Sequence, residues 1–154
     1  MKDSKKTKRH LIQELGAQRE KTARFEALFP DRGTAVTSPP GEEQTYRGFF
    51  ENAAEGFFRS VPEGRFLDVN PAFAAMLGYG SPKEMLSSIT DIASQHYVDL
   101  RDRQRFMERM EGEGSVHEFE YKARRRDGSE IWMSVIARAV RDGGGPITSY
   151  EGIV

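Results

Sequence analysis

The side chains best suited to chemistry in this chain are its three histidines, and they lie far apart, at His10, His96 and His117. Metal binding and general-base catalysis both need such groups to converge on one point. These three fall on distant elements, so no zinc-type ligand set is read from them. His96 precedes a helix instead of lying on its apolar side, and the expectation is a polar, partly exposed histidine. The chain has no cysteine, which excludes disulfides, thiolate ligands and cysteine nucleophiles together. No nucleophile elbow, phosphate-binding glycine loop or paired-histidine zinc helix occurs. Gly143-Gly144-Gly145-Pro146 is followed by no Lys-Ser/Thr pair and no helix start, so it is read as a turn. Serine, histidine and aspartate are scattered, with nothing to gather a triad. The expectation is therefore no catalytic site and no metal site.

The elements are more legible than any chemistry. From Gly56 to Gly78 the sequence reads GFFRSVPEGRFLDVNPAFAAMLG. Phe57, Phe58 and Val61 suit a strand, and Pro62-Glu63-Gly64 a tight turn. Phe66, Leu67 and Val69 suit a second strand. Asn70 can cap a helix through its side-chain oxygen, Pro71 fits the first helical position, and Gly78 suits a left-handed stop. Ser81-Pro82-Lys83-Glu84 is a capping box for a second helix with Met85, Leu86 and Ile89 on its apolar face. Asp91 and Ile92 begin a short turn. Asp99 can cap a third helix lined by Phe106, Met107 and Met110, ending at Gly112 and Gly114. From Val116 the period becomes two, with Phe119, Tyr121 and Ala123 on one side. Asp127-Gly128 is a hairpin signal. The strand from Ile131 to Val140 is apolar on both parities, so one face should meet helices and the other a partner subunit or the N-terminal helix. Ile147 to Val154 is the last strand. Two strands, several helices and three strands make an α+β fold with an antiparallel sheet.

The rest of the chain is less ordered in pattern. Residues 1–29 read as a basic tail and a helix with Leu11, Leu15, Phe25, Leu28 and Phe29 near one stripe. Gln18 and Thr22 interrupt that stripe, so it falls short of a coiled coil. A dimerising helix, with Phe25 and Leu28 as interface residues, is set against a helix packed on its own domain. Residues 30–44 hold prolines and glycines with few apolar groups and read as a linker. The main domain is residues 45–154, opening with a short helix that carries Tyr46, Phe49 and Phe50. At 154 residues, 37% hydrophobic and 31% charged, the chain has the size of one globular domain plus an extension. Its formal net charge of -1 offers no field selective for nucleic acid or an anionic membrane. No apolar run is long enough to span a bilayer, and no signal-peptide core opens the chain. A cytoplasmic location without membrane contact is the expectation.

Five pieces in order, covering residues 45–154, resemble the PAS domain, a sensory module of bacterial signalling proteins. They are the strand–turn–strand into Asn70-Pro71-Ala72-Phe73, the helix ending Met76-Leu77-Gly78-Tyr79, Glu118-Phe119-Glu120-Tyr121, Arg126-Asp127-Gly128-Ser129-Glu130-Ile131-Trp132, and Tyr150-Glu151-Gly152-Ile153-Val154. The resemblance implies a five-stranded antiparallel sheet with helices packed on one face and the first and last strands adjacent at its centre. It implies a homodimer and a C-terminal output domain beyond Val154, most often a histidine kinase of a two-component system, with a diguanylate cyclase as the main alternative. A ligand-free dimerisation and relay module is the rival. By the same resemblance Phe58, Val69, Met76, Phe106, Tyr121 and Ser134 are the candidate pocket lining. They either fill the core, the favoured reading, or hold a small organic ligand with Tyr121 and Ser134 as polar handles. Covalent flavin chemistry is closed by the lack of cysteine. Non-covalent flavin or haem stays open, and no cofactor is expected. Trp132 is read as core or interface packing.

Overall fold

The computed structural model describes residues 3–28 and 40–154. The chain divides into two units, Met1–Thr37 and Ser38–Val154. In the first, helix α1 runs Asp3–Leu28. Residues 3–9, read as a basic tail, are therefore helical. Lysine and arginine, which make up much of this stretch, are good helix formers and need no apolar stripe to continue a helix already begun. Ile12 and Leu15 are exposed on α1. Phe29 and the linker residues 30–39 lie outside the described residues.

In the second unit, α2 runs Pro40–Asn52. It begins inside the stretch 30–44 read as linker. Proline suits a first helical turn, whose N–H groups lack partners anyway. Strands β1 (Phe57–Val61) and β2 (Arg65–Val69) follow. Then come α3 (Pro71–Met76), α4 (Pro82–Ser88), α5 (Ile92–Gln95) and α6 (Leu100–Glu113). Strands β3 (Ser115–Arg124), β4 (Glu130–Arg141) and β5 (Ile147–Ile153) complete the unit. The five strands form one antiparallel sheet in the order β2-β1-β5-β4-β3.

Local signals fix the joints. The β1–β2 turn closes with the Gly64 N–H donating to the Val61 carbonyl at 3.0 Å, and Gly64 takes φ +90°. Ser81 caps α4 and Asp99 caps α6 as read. Asn70 does more than cap α3. Its Oδ1 accepts from Phe73 N–H at 3.0 Å and from Phe57 N–H at 2.8 Å, and its Nδ2 donates to the Glu55 carbonyl at 2.8 Å. One buried side chain thus ties the start of α3 to the start of β1.

The main core lies between the sheet's inner face and α3–α6. Phe58, Val69, Phe73, Leu77, Met85, Phe106, Met110, Phe119, Tyr121, Met133, Val135 and Tyr150 belong to it. Side chains alternate across a strand, so the outer face carries Phe57, Ile136 and Ile153, all buried. Phe50 of α2 lies 6.2 Å from the Phe57 ring, ring centre to ring centre. The doubly apolar β4 is thus covered on its outer side at Ile136 but open at Trp132, which is 67% exposed.

Candidate ligand site

Two remote contacts build the site. At the end of α5 the chain turns back along the edge of β3. Arg124 N–H donates to the His96 carbonyl at 2.8 Å, Val98 N–H to the Lys122 carbonyl at 3.0 Å, and Tyr97 bridges to Ala123. This short pairing drives the His96 and Tyr97 side chains into the interior. On the other side, α6 presents Arg103, Phe106 and Met110 inward, at positions i, i+3 and i+7. Between them lies a cavity of about 10 Å3, bounded among others by Phe58, Phe66, His96, Arg103, Phe106 and Tyr121.

The lining is aromatic with a polar centre. Tyr97 and Tyr121 stack at 4.4 Å between ring centres. The His96 ring meets Phe66 edge to face at 5.5 Å. Nε2 of His96 lies 2.8 Å from the Tyr121 hydroxyl. The Arg103 guanidinium sits 5.9 Å from the Tyr97 ring centre, 5.6 Å from that of Phe106 and 5.9 Å from that of Tyr150.

Burial sets the protonation states. His96 is driven down to about 3, chiefly by loss of solvent and further by the Arg103 charge, so it is neutral at physiological pH. Burial pushes Tyr97 up to about 12 and Tyr121 well above the ordinary phenol value, against the pull of Arg103. Both therefore stay protonated. Two nitrogens of this cluster, His96 Nδ1 and Arg103 Nη2, are buried without a hydrogen-bond partner.

Of the residues expected to line a pocket, Phe58, Phe106 and Tyr121 do so. Val69 is buried in the core but does not reach the cavity, and Met76 is half-buried at the end of α3. Ser134 is a correction: its parity puts it on the face of Trp132, while Met133 and Val135 point inward. His96 is a second correction. Expected to be partly exposed, it is 1% exposed, because its burial depends on pairing with β3, far along the chain. His117 is exposed on β3, and the His10 side chain lies outside the described residues. Arg103 is the functional residue that sequence patterning does not single out, although it stands at i, i+3 and i+7 with Phe106 and Met110.

Of the expected interface residues, Trp132 is exposed, with the Lys122 ammonium 5.6 Å from its ring centre. A core role for Trp132 within the monomer is thereby corrected, since solvent reaches most of the ring. Phe25 is on α1 and buried. Leu28 ends α1, and its side chain lies outside the described residues.

The sequence profile of the PAS domain matches residues 54–154. With the five-stranded sheet and its strand order, the chain belongs to the PAS-domain family. It is similar to a domain of a sensory box sensor histidine kinase/response regulator from Geobacter sulfurreducens, at 27% identity and TM-score 0.56, covering 73% of this chain and 91% of that one. A PAS domain of a protein from Colwellia psychrerythraea shares 15% identity at TM-score 0.60, covering 73% and 93%. The PAS domain of an HTR-like protein from Haloarcula marismortui shares 26% identity at TM-score 0.51, covering 73% and 90%. A comparison with curated protein sequences returns no match.

Proposed function

We propose that this PAS domain is the ligand-sensing input module of a bacterial sensor histidine kinase, passing its signal to a C-terminal output domain of the same polypeptide. The observation that carries this reading is the buried polar cluster of His96, Tyr97, Arg103 and Tyr121, with two unpartnered nitrogens, around a cavity in the core. Buried polar groups normally find partners, and those left open in a native fold call for a function. The Geobacter neighbour, a domain of a histidine kinase, supports the choice of output. The route outward is short. Arg103 and Phe106 both touch the Tyr150 ring, 5.5 Å from Phe106, and Tyr150 lies on the central strand β5. A ligand that alters the Arg103 environment biases how β5 packs, and the shift can be no larger than its differential affinity for the two packings.

The domain itself is proposed to carry no catalytic step and no resident flavin or haem. A cavity of about 10 Å3 is far below the roughly 300 Å3 or more of ordinary cofactor sites. A cytoplasmic location is part of the proposal. Among the described residues, no helix is long and apolar enough to cross a membrane.

The second reading is a ligand-free homodimeric relay, as the input of a kinase or a diguanylate cyclase. The smallness of the cavity and the exposed Trp132 favour it. Native mass spectrometry of the full chain, purified without added cofactor and then mixed with a library of small polar molecules, separates the two. The sensor reading expects a carried mass or a saturable one-to-one complex. A bare dimer across the whole library favours the relay.

A further inference from the structure

We infer that the cavity takes a small carboxylate, held by the guanidinium of Arg103 and the ring of His96. This rests on the sensor reading above and names its ligand class. Arg103 is 8% exposed, and a guanidinium keeps its charge at any physiological pH. Among the described residues, no carboxylate lies within ion-pair distance of it. Among the described residues, no acidic side chain lines the cavity. The aromatic rings around Arg103 offer cation–π attraction, which softens the cost of burial without cancelling the charge. Its Nη2 remains without a partner.

A buried cation normally survives only when paired, because desolvation otherwise penalises it heavily. Among the described residues no carboxylate pairs with it directly, and Asp91, whose carboxyl Arg103 helps hold low, acts on it only from beyond ion-pair distance. The neighbouring tyrosines supply no negative charge, since burial holds both as phenols. The missing counter-ion is therefore a ligand's. His96 gives the second donor. When the Tyr121 hydroxyl donates to Nε2, the imidazole proton sits on Nδ1, the ring nitrogen with no partner. A guanidinium N–H and an imidazole N–H on one cavity match the two oxygens of a carboxylate.

Size sets the second condition. The cavity of about 10 Å3 admits at most one water. A molecule the size of acetate enters only when a wall moves. Phe66 is the wall that can, being half-buried on the edge strand β2. Binding therefore draws on a minor open state, and the apparent affinity is reduced by its population.

The test uses the full chain with sodium formate, acetate and propionate, against sodium chloride at equal ionic strength and against acetamide. Thermal denaturation and the His96 ring signals in NMR are followed together. The expected result is a melting temperature that rises with carboxylate concentration as a single-site isotherm, and a saturable shift of the His96 ring. Chloride and acetamide produce neither. Arg103→Met weakens the carboxylate affinity by about tenfold or more, the loss expected for a charge-assisted contact. If Arg103→Met does not fold, the His96 titration in the unaltered chain decides alone. An equal effect of chloride, or full retention of binding in Arg103→Met, overturns the inference. Neutral molecules that move the His96 ring where carboxylates do not overturn it as well, but leave the sensor reading standing. No movement with any molecule removes both.

Discussion

The buried neutral state of His96 makes the fold sensitive to acid in a defined window. Its ring titrates near 6.5 when exposed and at about 3 in the folded protein. Between those values the unfolded chain binds a proton that the folded chain refuses, so acid favours unfolding. The stability linked to His96 is complete above the unfolded value and is lost as pH falls below it, down to the folded value. One pKa unit corresponds to about 1.4 kcal/mol, so moving from about pH 7.5 to about pH 5 removes roughly 2 kcal/mol through this group. Carboxylates add their own acid dependence, and a variant isolates the histidine. His96→Gln keeps an amide that can meet the Tyr121 hydroxyl but does not titrate. Urea denaturation of both proteins at the two pH values gives four free energies, and the difference of differences is the His96 share. About 2 kcal/mol is expected. An equal loss of stability in the two proteins would refute the reasoning and return His96 to a solvated position.

Other consequences are equally open to measurement. Asn70→Ala loses the cap on α3, about 1 kcal/mol, and also strips Phe57 N–H of its Asn70 acceptor, about 1–3 kcal/mol more. Urea denaturation should show roughly 2–4 kcal/mol in all, and a loss of cap size alone would argue against the tie to β1. At Gly152 an added Cβ would collide with the ring of Phe58. Gly152→Ala should therefore cost about 1–3 kcal/mol by overpacking and disturb the Phe58 ring signals, and an unchanged melting temperature would count against this register. Trp132→Ala should move monomer stability by no more than about 0.5 kcal/mol, as for other exposed positions, while weakening self-association in sedimentation if the outer face forms the dimer. A large stability loss in the monomer would contradict the exposed placement.

The sequence made the joints of this fold legible because their chemistry is local. Asn70-Pro71, Ser81-Pro82, Pro62-Glu63-Gly64 and Asp127-Gly128 each specify a cap or turn within a few residues. Tyr121 was readable for a similar reason, since the alternation of β3 puts it beside Phe119 and Ala123. The heart of the site was not. His96 sits on no apolar stripe, and its inward turn comes from hydrogen bonds to Lys122 and Arg124 on β3. The side of Ser134 is not legible, because a strand apolar on both sides does not announce which parity faces the core. The structure settles that by pairing Met133 with Tyr121 and Val135 with Phe119. Arg103 was hidden by its own charge. Arginine on a helix is ordinarily solvated, and only its helical spacing from Phe106 and Met110 marks it as inward.

The most direct test of the central claim is a ligand screen read at the cavity itself. Aromatic-ring NMR on the full chain would follow His96, Tyr97, Phe106 and Tyr121 against Trp132 as an outer-face control. The account predicts that some small molecule causes a saturable shift at the four interior rings while Trp132 stays still. A screen in which those rings never move, or in which only Trp132 responds, would contradict a sensor built around the His96–Arg103 cluster.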